Sequence, residues 1–380
     1  MKTLAIVSGT YLQMPLVIKA KEMGLRTICF MWEKGAVCKD YVDKFYPISI
    51  IEKDQILEVC QKERIDAITT IASDLAVLTV NYVAGKMGLI SNSDQYSLIT
   101  TNKYMMRQCF VDAEIPSPKF CRINKTLSLG NFNFTYPLIV KPTDRSGSRG
   151  VEKIDNPKQL IPAIQRAMGE SFHNEAIIEE YVEGREISVE SISWQGKHYI
   201  LQITDKVTTE APYFVELEHH QPSSLPENIK HRIRSIVLKA LTALHVQYGA
   251  SHSELKITKD GDIKIIEVGA RMGGDFIGSD LVQLSTGYDF VKGVINVALG
   301  QFSEPKITEQ KYSGVYFLCK ETECIKQYIE RKEKYPEIIK AEITDNELKN
   351  IQYSGDRSGY FIYQSDKGRF KVDKQLNNMK

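Results

Sequence analysis

The segment from residue 251 to residue 274, SHSELKITKDGDIKIIEVGARMGG, constrains the fold of this chain most. Two runs rich in Ile and Lys flank Asp260-Gly261, and this dipeptide between such runs is a strong signal for a β-hairpin with a two-residue turn. If Asp260 and Gly261 are the two turn residues, Thr258 faces Ile263. Each further pair then lies one residue earlier on the first strand and one residue later on the second.

Two carboxylates, Glu254 and Glu267, face each other in that register, with Cβ atoms roughly 4.5–5.5 Å apart. Facing like charges are destabilising unless a cation lies between them. Arg271 and the Gly273-Gly274 turn follow, which adds an anion-binding guanidinium. The hairpin alone allows two interpretations: a divalent-cation site, with Mg²⁺ favoured if phosphates are present, or an edge hairpin with two solvated glutamates.

The bulk properties narrow the classes of function. A chain of 380 residues is long enough for two or three domains. With 49 basic and 48 acidic residues the net charge is +1, which disfavours nucleic acid and anionic membranes as partners. No apolar run is long enough to span a membrane. The 7 cysteines are scattered without a Cys-x-x-Cys pair, so a cytoplasmic location is expected.

Residues 1–100 alternate between strand-like and helix-like segments, which predicts an open parallel α/β domain. The first turn lacks the G-x-G-x-x-G pattern of dinucleotide sites, so neither NAD nor FAD is assigned. Tyr11, Ser73 and Asp74 follow predicted strands and are weak pocket candidates, although a turn or helix cap is favoured for Ser73.

Residues 134–141 predict a strand that ends in Lys141 and leads into a loop rich in small residues. Backbone N–H groups of such a loop can surround phosphate oxygens, although a plain loop is the common alternative. There is no Walker A pattern. The loop candidates for phosphate contact are Ser146, Gly147, Ser148 and Gly150.

Residues 101–113 predict a helix on which Lys103 and Arg107 share a face. Alone, both would be ordinary surface residues. Residues 206–224 are polar and aperiodic, which predicts a long connection. They include His219 and His220, but no second Cys/His cluster has ligand spacing, which disfavours zinc.

Taken together, these parts predict a nucleoside triphosphate site. Lys103 and Lys141 would contact phosphates as point charges, and Glu254 and Glu267 would hold Mg²⁺ between phosphate oxygens. Residues 301–380 predict a smaller, β-rich C-terminal domain with a charged helix over residues 323–334.

Four stretches resemble the ATP-grasp superfamily: TNKYMMRQCFVDAEIPSP, YPLIVKPTDRSGSRGV, IIEEYVEGREISVE and ELKIT with IIEVGAR. The resemblance implies an ATP-grasp fold of mixed class, α/β and α+β. It comprises an N-terminal domain (1–100), an ATP-grasp domain (101–300) and a small C-terminal domain (301–380). Within the second domain, a nucleotide lid would span about 115–185 and a metal and catalytic part about 186–300.

The resemblance also implies roles for individual residues. Lys103 and Lys141 correspond to the two nucleotide lysines. The adenine amino group would meet Glu179, the ring edge would meet the backbone of Glu180 and Val182, and the ribose would meet Glu186. The metal ligands would be Glu254 and Glu267, and Arg271 would steady the transferred phosphate.

Two positions qualify this correspondence. The family usually has Asn where this chain has Gly269, which leaves the ligand set of a second metal open. A branch resembling L-amino-acid ligases uses a Glu-x-x-His pair in its substrate pocket. Glu216 and His219 have that spacing and are candidate catalytic residues, and the alternative pairing is Glu218 with His220. A structural hydrogen bond is favoured for His252, and Asp275 could meet a substrate amine or lie in a solvated turn.

The function implied is an ATP-dependent carboxylate–amine ligase acting on small metabolites, amino acids foremost. The acid would become an acyl phosphate, and an amine would then give the amide, ADP and phosphate. Mg²⁺ is the expected metal, with Mn²⁺ as its substitute, and a homodimer through the first domain is expected. The alternatives are an enzyme like phosphoribosylglycinamide synthetase or carbamoyl-phosphate synthase, and a non-catalytic ATP-binding protein.

Overall fold

The computed structural model describes residues 1–124 and 135–373. Its N-terminal part is a four-stranded parallel sheet in the order β3-β2-β1-β4, with three helices packed on it. The open parallel α/β arrangement predicted for this region is confirmed. The strands are β1 (Thr3–Val7), β2 (Arg26–Phe30), β3 (Lys44–Tyr46) and β4 (Ala67–Thr69), and the helices are α1 (Met14–Glu22), α2 (Lys53–Glu63) and α3 (Asp74–Met87).

Local sequence explains the bounds of α3. The hydroxyl of Ser73 accepts a hydrogen bond from the backbone N–H of Ala76, so the cap predicted for Ser73 is confirmed. The helix ends at Gly88, which has a left-handed backbone with φ of 67°. Asp74, the first helical residue, therefore lies at the carboxyl edge of the parallel sheet.

A second, antiparallel sheet follows helix α4 (Lys103–Asp112), which the side chain of Asn102 caps. Its order is β5-β8-β6-β7, and helix α5 (Pro157–Glu170) covers one face. The predicted strand over 134–141 is observed as β6, although residue 134 lies outside the described residues. The strands are β5 (Phe120–Ile123), β6 (Leu138–Pro142), β7 (Glu152–Ile154) and β8 (Ala176–Glu180).

The third sheet is antiparallel, has eight strands, and runs in the order β13-β12-β9-β10-β11-β14-β16-β15. Its last three strands come from the C-terminal segment, so hydrogen bonding continues across residue 300. The domain boundaries themselves stay a prediction. The strands are β9 (Arg185–Trp194), β10 (Lys197–Thr208), β11 (Glu216–Gln221), β12 (Gly249–Ile257), β13 (Ile263–Gly269), β14 (Tyr312–Leu318), β15 (Ile338–Ile343) and β16 (Gly359–Ser365).

Four further α-helices accompany this sheet, of which α6 is an amphipathic helix that buries Ile233, Val237 and Leu241. The continuous charged helix predicted over 323–334 is wrong. Two 3₁₀ segments flank a single short α-helix there, and the backbone angles of Thr322 and Arg331 are not helical. The helices are α6 (Glu227–Ala243), α7 (Val282–Thr286), α8 (Phe290–Ala298) and α9 (Lys326–Glu330).

The connection predicted over 206–224 is also partly wrong, because it contains strand β11. This strand is polar and lacks the alternation of apolar residues that signals a strand. Pairing with β10 on one side and β14 on the other satisfies its backbone. Tertiary hydrogen bonding therefore decides its conformation.

The hairpin of β12 and β13 has a three-residue turn, so the predicted two-residue turn is wrong. Thr258 faces Asp262, and Gly261 takes the left-handed position with φ of 83°. This shifts the ladder by one residue and pairs Ile263 with Ile257. A bulge at Ile266 then removes the shift, so Glu254 faces Glu267 as predicted.

An apolar cluster joins the first sheet to the third. Leu16 and Val17 of α1 belong to the same cluster as Val294 and Ile295 of α8. The N-terminal part is therefore packed directly against the sheet that carries the glutamate pair. No helix within residues 1–124 and 135–373 combines the length and apolar composition that crossing a membrane requires.

Candidate active site

A cavity of about 430 Å³ lies between the three sheets. Strands of the two antiparallel sheets line it, together with segments that follow strands of the parallel sheet. It brings together every predicted site residue except Gly150. That glycine instead forms a turn, with φ of 69°, packed against Pro142 and Glu170. The predicted residues that line the cavity are Lys103, Lys141, Ser146, Gly147, Ser148, Glu179, Glu180, Val182, Glu186, Glu216, His219, Glu254, Glu267 and Arg271.

Each glutamate of the facing pair contacts a lysine. The Nζ atom of Lys103 lies 2.9 Å from Oε1 of Glu267, and the Nζ atom of Lys206 lies 2.7 Å from Oε1 of Glu254. Burial opposes ionisation of Glu254, yet Lys206 and His252 hold the pKa of its carboxyl well below the usual range. Glu254 is thus available as a charged oxygen donor, and the carboxylate of Glu267 faces it across the hairpin.

Lys206 is a site residue that the sequence analysis missed. Its side chain is 2% exposed, and Nζ lies 2.8 Å from Glu186 and 3.4 Å from Glu216, in addition to its contact with Glu254. Burial lowers the pKa of Lys206, but the three carboxylates outweigh it and raise the pKa well above its usual value. The signal that could have identified Lys206 is its position near the end of a buried strand, which it shares with Lys141.

Arg107 was the second residue missed, because its helix position suggested an exposed side chain. Its side chain is 0% exposed. Its Nε atom lies 2.8 Å from Glu179, and its Nη2 donates to the carbonyl of Ile266 at 2.6 Å. The bulge at Ile266 therefore has a direct partner on α4.

Glu179 lies between two cations. Lys141 contacts one of its carboxylate oxygens at 2.8 Å, and Arg107 contacts the other. Burial opposes ionisation of Glu179, but Arg107 and Lys141 hold the pKa of its carboxyl below the usual range. Lys141 and Glu179 line the cavity, as do Ile139, Glu180, Tyr181 and Val182, and Arg107 supports Glu179 from outside the wall.

The structure distinguishes the two Glu-x-x-His pairings by position. Lys206 and Thr208 lie on one face of β10. Lys206 pairs with His219 of β11, and Thr208 pairs with Glu216 because a bulge at Leu217 shifts the register. Glu216 and His219 therefore both line the cavity. The other pair lies on the opposite face, where His220 contacts Glu218 and the hydroxyl of Tyr363 at 3.0 Å each.

His219 is buried and neutral. Burial holds the pKa of its imidazole well below the usual range, although Glu216 opposes this effect. Neither ring nitrogen has a hydrogen-bond partner among the residues that the structure describes. A buried imidazole at a cavity wall is thus left with a donor and an acceptor for a ligand.

His252 makes the structural hydrogen bond expected of it, with Glu190. Its other ring nitrogen lies 3.4 Å from Oε1 of Glu254. Burial opposes protonation, but Glu190 raises the pKa of His252 to about 9. Because Glu190 also accepts from the backbone N–H of Gly273 at 2.9 Å, one buried carboxylate ties the hairpin to the Gly-Gly turn.

At the other end of the cavity, Arg357 of the C-terminal segment joins two acidic groups. It donates to Asp275 at 2.8 Å and to both the carbonyl and the carboxylate of Glu216, at 2.8 and 3.2 Å. Asp275 is therefore paired rather than solvated. Nothing in the sequence connects position 357 to this site. Tyr11, Leu12, Ala72, Ile277 and Ser354 line the same end.

The carboxylates of the cavity suit a metal ion that takes its remaining ligands from bound phosphates and water. Within the described residues, no group of three or more His, Cys, Asp or Glu side chains is arranged to hold a metal ion. Two adjacent carboxylates fit Mg²⁺, which commonly takes one or two carboxylates from the protein and oxygens from phosphates and water. The pair Glu254 and Glu267 meets that description.

A family model described as an ATP-grasp domain matches residues 134–280. The matched segment is thus similar to ATP-grasp domains. It begins before the strand that carries Lys141 and ends beyond Arg271. It therefore includes every predicted site residue other than Lys103, which α4 supplies from outside the match.

Comparison with individual proteins agrees with the domain match. Alanine–anticapsin ligase of Bacillus subtilis (strain 168) is 28% identical over 248 residues, which are 58% of this chain and 51% of that protein. The chain thus spans about half the length of the curated relatives it matches first.

Two solved structures share the fold of the whole chain. An L-amino acid ligase from Bacillus licheniformis has a TM-score of 0.80 at 22% identity, over 96% of this chain and 94% of that one. Phosphoribosylglycinamide synthetase from Anaerococcus prevotii has a TM-score of 0.76 at 20% identity, over 100% and 96%. At such identities the likeness establishes a shared fold and nothing finer.

Proposed function

We propose that this protein is an ATP-dependent carboxylate–amine ligase that forms an amide bond between two small metabolites, amino acids foremost. One observation carries the proposal. A single cavity holds lysines and paired carboxylates suited to Mg·ATP, and within the same wall an acid–base pair, Glu216 and His219. The likeness to proteins named as amino-acid ligases supports the same class.

The nucleotide would lie at the end of the cavity closed by Glu179. Lys141 and Lys103 would contact phosphate oxygens, and the loop with Ser146, Gly147 and Ser148 would cover them through backbone N–H groups. The backbone of Glu180 and Val182 would meet the adenine edge, and Glu186 the ribose hydroxyls.

Glu254 and Glu267 would hold Mg²⁺, with Mn²⁺ as its substitute. When bound, the metal supplies positive charge that neutralises the phosphate oxygens. Lys103 contacts Glu267 and Lys206 contacts Glu254, so both lysines could add positive charge beside phosphates bound at this pair. Positioning and charge neutralisation are what phosphoryl transfer chiefly requires from a protein.

In the first step, a carboxylate oxygen of the acid attacks the γ-phosphorus of ATP. The bond to the β,γ-bridging oxygen breaks, and ADP leaves. In the second step, the amine nitrogen attacks the acyl carbon, the carbon–oxygen bond to phosphate breaks, and inorganic phosphate leaves. Arg271 would orient the acyl phosphate and balance its charge.

The incoming ammonium group must lose protons for the second step. Neutral His219, whose ring nitrogens have no partner in the described parts of the chain, can accept one. Glu216 can hold the ammonium group beside it, since Arg357 fixes the Glu216 carboxylate from behind. Asp275, held by the same arginine, is a second anion at this end.

Phosphate release from Mg·ATP, measured with L-amino acids singly and in pairs, tests the proposal. Glu267→Gln is the control variant. Release that requires two substrates and disappears in the control is the expected result. Release with one acid, trapped by hydroxylamine, would identify the acid while the amine is still missing.

The same assay separates the alternatives. Turnover with glycine only when phosphoribosylamine is added would favour the phosphoribosylglycinamide-synthetase alternative. Turnover with bicarbonate would favour one like carbamoyl-phosphate synthase. ATP binding with no release across a wide carboxylate panel would favour a non-catalytic ATP-binding protein.

A further inference from the structure

Asp74 connects the N-terminal sheet to the candidate active site. It is the first residue of α3, and its carboxylate binds the guanidinium of Arg271 through two contacts. Nε of Arg271 lies 2.8 Å from Oδ1, and Nη2 lies 3.0 Å from Oδ2. The side chains are 14% and 17% exposed, and both residues line the cavity. Paired contacts of this kind fix the plane of a guanidinium as well as its position.

Gly269 provides the space for this contact. A Cβ atom at position 269 would lie 2.6 Å from Oδ1 of Asp74 and 3.0 Å from Nε of Arg271, and real Cβ atoms essentially never come within 3.0 Å of a neighbour. The backbone of Gly269 continues β13 and is not left-handed. Close approach, rather than backbone conformation, is therefore what requires glycine here.

Burial and a second hydrogen bond hold the two elements together. The backbone N–H of Ala72 donates to the carbonyl of Met272 at 3.2 Å, two residues from Asp74 and one from Arg271. The apolar cluster between α1 and α8 packs the same two parts of the chain against each other. These contacts therefore hold Asp74 at a fixed position relative to Arg271.

We propose that Asp74 is a positioning residue for Arg271, and that Gly269 is glycine because any larger residue would displace the Asp74 carboxylate. Of the five N–H groups of a guanidinium, Asp74 takes two and the carbonyl of Met272 takes one at 3.3 Å. The others are oriented by this arrangement and serve the acyl phosphate. The N-terminal domain thereby completes the active site. The effect on turnover rests on the proposed ligase function.

Four proteins test the proposal: the wild type, Asp74→Ala, Gly269→Ala and the double variant. We expect each single variant to lose roughly 10- to 100-fold in kcat, since misplacing a catalytic group by about 1 Å can cost that much. The KM for ATP should change little. Because the methyl group added at position 269 no longer meets a carboxylate once Asp74 is shortened, the double variant should be no slower than Asp74→Ala alone. Losses that multiply, or an unchanged kcat in Asp74→Ala, would overturn the proposal.

A fifth protein separates positioning from a purely structural role. Asp74→Ala combined with Gly269→Asp moves the carboxylate from one backbone position to another beside Arg271. Partial recovery of kcat over Asp74→Ala is expected. A double variant as slow as Asp74→Ala combined with Gly269→Ala would show that the carboxylate has no positioning role.

Thermal unfolding of the same proteins needs no turnover, so it keeps this inference apart from the proposed function. Gly269→Ala should lower the Tm in the wild-type background and leave it unchanged in the Asp74→Ala background. An equal decrease in both backgrounds would overturn the contact between positions 74 and 269, whether or not the protein is a ligase. If the Tm pattern holds and the wild type shows no amide formation, only the proposed function fails.

Discussion

The ammonium group of Lys103 lies 2.9 Å from a carboxylate oxygen of Glu267, although 164 residues separate them in the chain. The ammonium group of Lys206 likewise contacts a carboxylate oxygen of Glu254, the residue that faces Glu267 across the hairpin. Two like charges on neighbouring strands are thus each balanced by a buried cation. The carboxylate pair is therefore compatible with a stable fold, and the same four groups provide donors and acceptors for a phosphate–metal complex.

Replacing Lys206 should cost both stability and activity. Lys206→Met leaves three carboxylates around an apolar side chain, and breaking a buried ion pair from one side costs about 3–5 kcal/mol. We expect a lower denaturation midpoint and no measurable phosphate release. Lys197→Met, on the same strand but exposed and paired at the surface, is the matched control and should change stability by less than about 1 kcal/mol. Equal stability losses in the two variants would contradict the assigned role.

Arg107 should be required for folding stability. Arg107→Met removes one of the two cations paired with buried Glu179, together with the donor to the Ile266 carbonyl, so unfolding free energy should fall by about 3–5 kcal/mol. Equilibrium denaturation in urea measures this. The control is Arg166→Met, whose exposed pairing with Glu152 contributes little. A loss below about 1 kcal/mol for Arg107→Met would show that the buried pair does not hold the site together.

His252 should make the folded state lose stability at alkaline pH. Because its folded pKa of about 9 exceeds the unfolded value near 6.5, its contribution is fully present below pH ~6.5 and is lost as pH rises through 9. The wild type should therefore lose more stability than His252→Gln between these pH values, by up to about 3 kcal/mol. Denaturation without added metal measures the difference. The exposed His231→Gln variant should follow the wild type.

The two faces of β11 should have different effects on the reaction. Glu216→Gln should lower amide formation by roughly 100-fold, because the ammonium group loses the carboxylate that positions it, while hydroxylamine still traps the activated acid. Glu218→Gln lies on the opposite face and should retain amide formation. Product analysis by mass spectrometry distinguishes the two. Loss of amide formation in Glu218→Gln with an unchanged Tm would reverse the assignment.

Much of the site could be predicted because each motif lies close to the residues that define it. The lysine that ends β6, the small-residue loop and the facing glutamates are local features. Glu254 and Glu267 do face each other, but through a longer turn and a bulge at Ile266 whose effects cancel. The prediction of the pair was confirmed, and the turn on which it rested was wrong. A bulge depends on partners outside the hairpin, here Arg107, so local sequence could not predict it.

The residues missed share a different property. Lys206, Arg107 and Arg357 each act through a partner far away in sequence, and the local pattern around each residue does not indicate that partner. Charged side chains without periodic context predict solvent exposure unless a buried counter-charge is known. The partners that bury them are set by the packing of the three sheets.

The sequence by itself determined the alternating strands and helices of the parallel N-terminal sheet, the hairpin and the identity of the residues proposed for phosphate and metal. These follow from periodicity, turn residues and charge, which act over a few residues. Tertiary structure decided the face of β11, the contact of Asp74 with Arg271 and the need for glycine at position 269. Those depend on which elements approach within a few ångströms of each other, and close approach is a property of packing rather than of any one segment.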